Sequence, residues 1–428
     1  MADFDAIVVG SGCAGPVAAH ELATRGKSVL VIERGNFAGA KNVSGGRLYT
    51  HALREVFPNF RDDAPLERRV VRERISMLEP EAGLTIEFSD EQMRDESQDS
   101  YTVLRAQFDP WLVSQAEAAG AEYIHGIAVE SLIKDGNRVT GVSAGGDEIS
   151  ADVVILCDGV NSLLAEQAVG TPRPSRSSVA VGIKQVIELD EHVINERFTC
   201  SSDEGAAWLF MGDATHGHVG GGFLYTNKNS ISLGLVVTVA DMVEADTTIA
   251  QLLEDFRQHP VIAPVIAGGA VVEHSGHLVA EGGYNALPTL IGDGVMLAGE
   301  SAMMCLNAGY TVRGMDLAIA AGMHAGRSAA TALDNGDTSS KGLGSYVKAL
   351  EDSFVIKDMK TLRRFPDFME HTPRMFSTYP ELACSLARQM FLVDGTPMKP
   401  VRKKAWPLLK DVGLFNLLKD ARKGVKAL

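Results

Sequence analysis

The stretch FDAIVVGSGCAGPVAAHELATRGKSVLVIERG, Phe4–Gly35, decides the fold. Phe4 to Val9 is a short apolar run of strand character. Gly10, Gly12 and Gly15 follow in G-x-G-x-x-G spacing. Val17 to Ala23 has helical character, and Ser28 to Ile32 is a second strand ending in Glu33. Each glycine has its own physical reason. Gly10 permits the tight turn, Gly12 lets backbone approach a pyrophosphate, and Gly15 lets helix pack on strand. The helix N-terminus offers free N–H groups and a positive dipole to phosphate. Glu33 can accept from both hydroxyls of an adenosine ribose, which disfavours a 2′-phosphate there. Cys13 and Ala14, inside the loop, read as small packed residues at the cofactor. The strand–loop–helix–strand–acid order predicts a dinucleotide site, NAD or FAD.

Four features further along decide for FAD. RGNFAGAKNVSGGRLY (Arg34–Tyr49) follows Glu33 where a simple NAD domain would proceed to its next regular element. It is a Gly/Asn/Ser-rich loop ending in Gly45-Gly46, with Lys41 and Arg47 beside it, suited to fold over a bound dinucleotide. YTVLRAQFDPWLVSQAEAAGAEYIHG (Tyr101–Gly126) reads as strand into helix with Arg105 at the junction, where a guanidinium fork can reach a pyrophosphate. EISADVVILCDGVNSLLAE (Glu148–Glu166) holds a buried strand, Val153 to Leu156, ending in Asp158-Gly159. DGVMLAGESAMM (Asp293–Met304) repeats the pattern with a strand Val295 to Ala298, then Gly299-Glu300 and a helix start. Ligands sit at such carboxyl edges of parallel sheets.

Strand–Gly/acid elements so far apart imply one nucleotide domain assembled from separate segments, with the intervening chain in a second domain. ISLGLVVTV (Ile231 to Val239) and GGGFLYT (Gly220 to Thr226) have the aromatic and β-branched content of an antiparallel sheet. The expected fold is α/β: an FAD-binding domain with a Rossmann-like parallel sheet, which the resemblance given below makes glutathione-reductase-type, an inserted mainly antiparallel β substrate domain and a helical C-terminal region. The expected borders are 1–75, 101–172 and 288–340 for the FAD-binding domain, 76–100 and 173–287 for the substrate domain, and 341–428 for the helical region.

These residues resemble the flavoprotein superfamily of glutathione reductase and p-hydroxybenzoate hydroxylase. More narrowly, the chain resembles the electron transfer flavoprotein:quinone oxidoreductases of FixC type, along essentially its whole length. IERGNFAGAKNVSGGRLY, DGVNSLLAE, GGGFLYTNKNSISLGL, LLEDFRQHPVIAPVIAGG, NAGYTVRGMDLAIAAG and YPELA carry the likeness. The resemblance implies FAD with its ADP half on Gly10, Gly12, Gly15 and Glu33. Arg34 would flank the adenosine, Lys41 and Arg47 the flavin side of the loop, and Arg105 the pyrophosphate, with Asp158-Gly159 bordering the site. In the relatives an Asp follows the glycine matching Gly299; here it is Glu300, one methylene longer, expected to position the cofactor and transfer no proton. Asn307 and Gly309 precede a helix of small residues whose N-terminus would face the flavin, and Arg313 and Asp316 are expected to pair on it.

Net charge is −15, with 40 Lys/Arg against 55 Asp/Glu, which argues against nucleic acid as a partner. Lys399 to Leu428 holds nine Lys/Arg and two Asp/Glu, a local +7. Such a tail suits an anionic partner or a membrane surface, while its Trp406, Leu408, Leu409, Val412 and Phe415 by default pack on the body. Five scattered cysteines form no disulfide framework or iron–sulfur motif, and no metal site is expected. His216, His218, His274 and His277 read as solvated. The N-terminus enters a strand at once, and no apolar run reaches the length of a spanning helix, so a cytoplasmic protein is expected, with peripheral contact at the inner face of the membrane open. The family's membrane-bound members carry a cysteine-rich C-terminal domain. Here Cys384 is the one cysteine beyond Cys305, so a separate ferredoxin-like subunit would bring the cluster. The expected function is FAD-dependent electron transfer between electron transfer flavoprotein subunits and a quinone. The alternative is a geranylgeranyl-reductase-like enzyme that saturates isoprenoid double bonds.

Overall fold

The protein is described by a computed structural model covering residues 2–40 and 45–428. Its first sheet grows out of the opening stretch. Phe4–Val9 pairs in parallel with Val29–Glu33 on one side and Asp147–Leu156 on the other. Glu122–His125 and Val295–Leu297 extend the parallel order outward. Apolar runs suit this position because both faces are covered: Ala6, Ile7 and Val8 have no exposed surface, nor do Val153 to Leu156. The helix Gly15–Ala23 packs between Arg105–Ala118 and Met315–Asp334. Its approach to the last is set by glycine. A Cβ at Gly322 would lie 2.2 Å from the Ala14 carbonyl oxygen, and one at Gly326 would lie 2.6 Å from that of Ala18. The small residues of this long helix therefore serve backbone contact.

Among the described residues the second sheet has nine strands. In spatial order eight are Ala270–Ala280, Val179–Glu188, Ser230–Thr238, Gly220–Thr226, Glu204–Gly212, Leu66–Glu79, Ser100–Val103 and Gly46–Tyr49; Ala82–Phe88 pairs with Leu66–Glu79. Neighbours run antiparallel except Glu204–Gly212 against Leu66–Glu79. Leu66–Glu79 runs through position 75, and Ser100–Val103 spans position 100, whereas the sequence-based borders fall at 75/76 and 100/101. Pairing with strands far along the chain, rather than local composition, determines where these segments go. Arg68 pins the seam without a carboxylate. Fully buried, it donates from Nε to Asn227 O at 2.7 Å, from Nη1 to Asn195 Oδ1 at 2.6 Å and Glu204 O at 3.0 Å, and from Nη2 to Lys228 O at 3.0 Å.

The C-terminal region is helical. Thr378–Phe391 packs on Leu66–Glu79 and Ala82–Phe88, and Val401–Val412 and Leu414–Ala427 follow it. The last helix is tied down by buried Asp420, whose Oδ2 accepts from Tyr379 Oη at 2.6 Å and Arg374 Nε at 2.8 Å. Leu408, Leu409 and Val412 are half-buried, but Trp406 is 56% exposed and Phe415 77%, so these two do not pack on the body as expected. Among the described residues no helix is long and apolar enough to cross a membrane.

Candidate functional site

The parallel strands deliver their chemistry to one edge. Gly10, Glu33, Asp158 and Gly299 all stand at or just beyond the carboxyl ends of adjacent strands. The turn is as tight as the glycine spacing predicts. Gly10 has φ +97°, and a Cβ there would sit 2.4 Å from the Cys157 carbonyl oxygen; at Gly15 a Cβ would sit 2.0 Å from the Gly10 oxygen. At Gly12 the nearest atom a Cβ would meet is Arg105 Nη2 at 3.6 Å, so that side of the loop is open. A cavity of about 320 Å³ lies there, walled by Gly10, Gly12, Cys13, Ala14, Glu33, Arg34, Arg105, Asp158, Gly159 and Glu300 among others. Gly15 and Gly299 stand behind it as packing positions.

Glu33 has backbone partners within the protein. Its Oε2 accepts from the Ser11 N–H at 2.8 Å and its Oε1 from the Gly35 N–H at 2.6 Å, which holds the glycine loop against the second strand. Arg105 is held by its own helix: Nε and Nη2 donate to Asp109 Oδ1 and Oδ2 at 2.6 and 2.7 Å. This fork face is held by Asp109, and Arg105 brings its charge and its remaining N–H donors to the cavity wall. Asp158 Oδ1 accepts from Ser301 Oγ at 2.9 Å, and Ser301 Oγ accepts from the Gly159 N–H at 3.0 Å, cross-linking two strand ends. Burial pushes the Asp158 carboxyl up despite these bonds. Cys13 is a buried thiol pushed up to about 12 by burial, which leaves it neutral and unreactive at ordinary pH.

A second cavity of about 350 Å³ adjoins the first, and the two share Cys13, Arg105, His277 and Glu300. Gly45, Gly46, Arg47, Asn307 and Gly309 line it on one side, and Gly220, Gly221, Gly222, Phe223 and Tyr225 from GGGFLYT line the other. Gly45 has φ +76° and a Cβ there would collide with Ser232 Oγ at 2.1 Å. Arg47 Nε donates to Ser100 Oγ at 3.0 Å, its Nη2 pairs with Glu73, and its guanidinium lies 4.5 Å from the Tyr49 ring centroid. Lys41 lies outside the described residues. Burial raises the Glu300 carboxyl, against the charges of His277 and Arg105. Arg313 pairs with Asp316 as expected, with Nε and Nη2 on Oδ2 at 2.8 and 2.6 Å, and its Nη1 also meets Asp358 at 2.6 Å.

Three residues of the larger cavity escape a reading of the sequence. Lys184 is buried, its Nζ donates to the Gly45 carbonyl, and burial holds its ammonium well below the usual lysine range. A signal exists: Lys184 interrupts the apolar strand VAVGIKQVIE, where a surface lysine is out of pattern. Glu281 is also on the wall, but an acid before Gly-Gly reads as an ordinary turn. His277, expected to be solvated, sits on the strand Ala270–Ala280 and walls both cavities. His216 and His218 each have a carboxylate neighbour, Asp255 at 3.3 Å and Asp241 at 3.7 Å. Among the described residues no three His, Cys, Asp or Glu side chains gather into a metal site.

The residues fit a dinucleotide with a further ring system. Open backbone at Gly12, a positive Arg105 beside it and the acid Glu33 at the far end suit the ADP half, and the adjoining cavity has room beyond. Comparison with known proteins agrees. Residues 3–219 match the FAD binding domain family, and residues 365–428 match the ETF-QO/FixC family C-terminal domain. The chain is 50% identical over 425 residues to the probable electron transfer flavoprotein-quinone oxidoreductase YdiS of Escherichia coli K12, covering 99% of each chain. It is equally 50% identical over 425 residues to protein FixC of the same strain, again with 99% of each covered. A geranylgeranyl bacteriochlorophyll reductase-like protein from Thermoplasma acidophilum superposes with a TM-score of 0.73 over 98% of this chain and 99% of that one. At 18% identity it shares the fold alone. The chain binds FAD and is a member of the electron transfer flavoprotein:quinone oxidoreductase family, FixC type, a family of FAD-dependent oxidoreductases.

Proposed function

We propose that this protein carries electrons from an electron transfer flavoprotein to a quinone through its FAD, at the inner face of the membrane and with a separate ferredoxin-like subunit. The names of its half-identical relatives support the first two partners. The observation that carries the reading is the pairing of cavities. A site suited to the ADP half opens, past Cys13, Arg105, His277 and Glu300, into a second cavity walled by Ile75, Leu209, Phe210, Val236 and Met369, apolar side chains that suit a quinone ring. On this reading Gly10, Gly12 and the Gly15 helix start hold the pyrophosphate, with Arg105 as nearby positive charge and Glu33 at the ribose. Asp158-Gly159 and Gly299-Glu300 border the cofactor's middle, and Asn307–Gly309 its ring system. When bound, FAD supplies the redox chemistry; the chain supplies position, potential and a water-poor path. The basic tail, with Trp406 and Phe415 exposed among its lysines, supports contact with an acidic ferredoxin-like partner or an anionic membrane surface.

The test is anaerobic reduction of the purified protein, followed by mixing with a short-chain quinone or with a prenyl lipid. Rapid return of the oxidised flavin spectrum with quinone supports the reading. Return with the prenyl lipid alone, with loss of a double bond, would instead establish the isoprenoid reductase.

A further inference from the structure

The larger cavity contains a carboxyl to which the electron path gives no part. Glu281 follows directly on the strand Ala270–Ala280, its own N–H bound to the Ser178 carbonyl at 2.9 Å. Its side chain lines the cavity, and its Oε2 accepts from Asn307 Nδ2 at 3.1 Å. Asn307 cannot flip, because its Oδ1 accepts from the Gly309 N–H at 2.9 Å. Glu281 therefore has one amide donor, an apolar chamber in front of it, and another acid, Glu300, close enough to bear on it. His277 and Arg105 exert their charge on Glu300, and Cys305, a further titratable neighbour, is a thiol kept neutral by burial. Burial pushes the Glu281 carboxyl up to about 7, helped by Glu300 and opposed by the Asn307 bond. An acid so placed is poised to change protonation near neutrality.

We propose that Glu281 is the proton donor of this site, passing its carboxyl proton to an oxygen of a quinone held in the cavity and refilling from solvent. The inference rests on the quinone reading above. Quinone reduction to quinol adds two electrons and two protons across two carbonyl oxygens. Both electrons and one proton come from the reduced cofactor, which starts as the anion carrying a single transferable proton and returns to its neutral oxidised form. The other proton comes from Glu281: its O–H bond breaks, an O–H bond forms on the quinone, and a carboxylate remains. Asn307 Nδ2 stays in place to hydrogen-bond that carboxylate, which makes it a positioning residue.

The experiment compares wild type, Glu281→Gln and Glu281→Asp, each checked for bound flavin. Reduced protein is reoxidised by a short-chain quinone, which takes up protons, or by ferricyanide, which takes none, and the ratio of the two rates is followed against pH. The wild-type ratio falls as pH rises through about 7, because the acid form is the donor. E281Q lowers the ratio on the order of a hundredfold and flattens its pH dependence, and E281D, still an acid, recovers a pH dependence. Independently of turnover, the infrared spectrum of the wild type at neutral pH contains a protonated-carboxyl band that E281Q lacks. An E281Q protein with the wild-type ratio and pH profile overturns the proton-donor role alone. A wild type oxidised by ferricyanide and by no quinone overturns the role and the quinone reading together.

Discussion

The three glycines of the opening loop separate into two physical classes, and paired substitutions distinguish them. At Gly15 an added methyl would lie 2.0 Å from the Gly10 carbonyl oxygen, far inside contact distance, and the obstacle is backbone. Overpacking of this kind costs about 1–3 kcal/mol. With a shift of about 2–4 °C per kcal/mol for larger domains, Gly15→Ala lowers the Tm of the apoprotein on the order of 5 °C. At Gly12 the methyl meets nothing nearer than Arg105 Nη2 at 3.6 Å, and φ there is not positive. Gly12→Ala therefore leaves the apoprotein as stable as wild type or slightly more so, since alanine restricts the unfolded chain. Its cost falls on the ligand. The methyl occupies the space through which a pyrophosphate would reach the loop N–H groups, and losing one charge-assisted hydrogen bond costs about 1.5–3 kcal/mol. That weakens FAD binding roughly ten- to a hundredfold. The assay is thermal melting of apoprotein together with FAD titration by quenching of flavin fluorescence. A G12A apoprotein that melts as low as G15A, or binds FAD as tightly as wild type, refutes the assignment of Gly12 to the phosphate.

Glu33→Ala removes both acceptors of the Ser11 and Gly35 N–H groups, so it lowers apoprotein stability by about 2–3 kcal/mol besides weakening FAD binding; calorimetry of apo and loaded protein separates the two losses. Arg68→Ala abandons several buried carbonyl acceptors at once and destabilises by about 3 kcal/mol or more, read as a lower urea midpoint, and Arg68→Lys rescues little because an ammonium cannot reproduce the fork. Glu281 also leaves a mark on stability. Its folded pKa of about 7 lies above the ordinary value of 4.5, so its contribution is intact below about 4.5 and is lost as pH rises through about 7. The Tm of E281Q relative to wild type should accordingly rise over that window; a constant difference would show that Glu281 titrates normally.

The nucleotide half is legible in the sequence because its signals are local. The apolar runs at Phe4–Val9 and Val29–Glu33, the glycine spacing and the terminal acid all lie within one short stretch, and their pairing partners are short, buried and parallel. Gly46–Tyr49 and Ser100–Val103 are harder. Each is a short strand, and each joins the second sheet only through strands that the chain reaches from elsewhere. Arg105 stands at its expected strand–helix junction, but its tie to Asp109 one turn on is new with the structure. Glu281 and Lys184 are the instructive omissions. Their chemistry comes from burial, which only the closed sheet creates: Glu281 gains its high pKa from the cavity wall, and Lys184 its low one from the interior beneath Gly45. His277 misleads for the same reason, since its place on the strand Ala270–Ala280 puts it, half-buried, on the walls of both cavities.

The central claim is that electrons travel from an electron transfer flavoprotein, through this chain's FAD, to a quinone. The most direct measurement mixes reduced electron transfer flavoprotein with this protein and a short-chain quinone under anaerobic conditions, with the ferredoxin-like subunit present throughout, and follows the flavin spectra and quinol together. The account predicts that quinol forms at the full rate only when all three are present, and that the FAD of this protein is reduced before quinol appears. Quinol formation at the same rate without this protein, or an FAD that the reduced flavoprotein leaves oxidised, would contradict it.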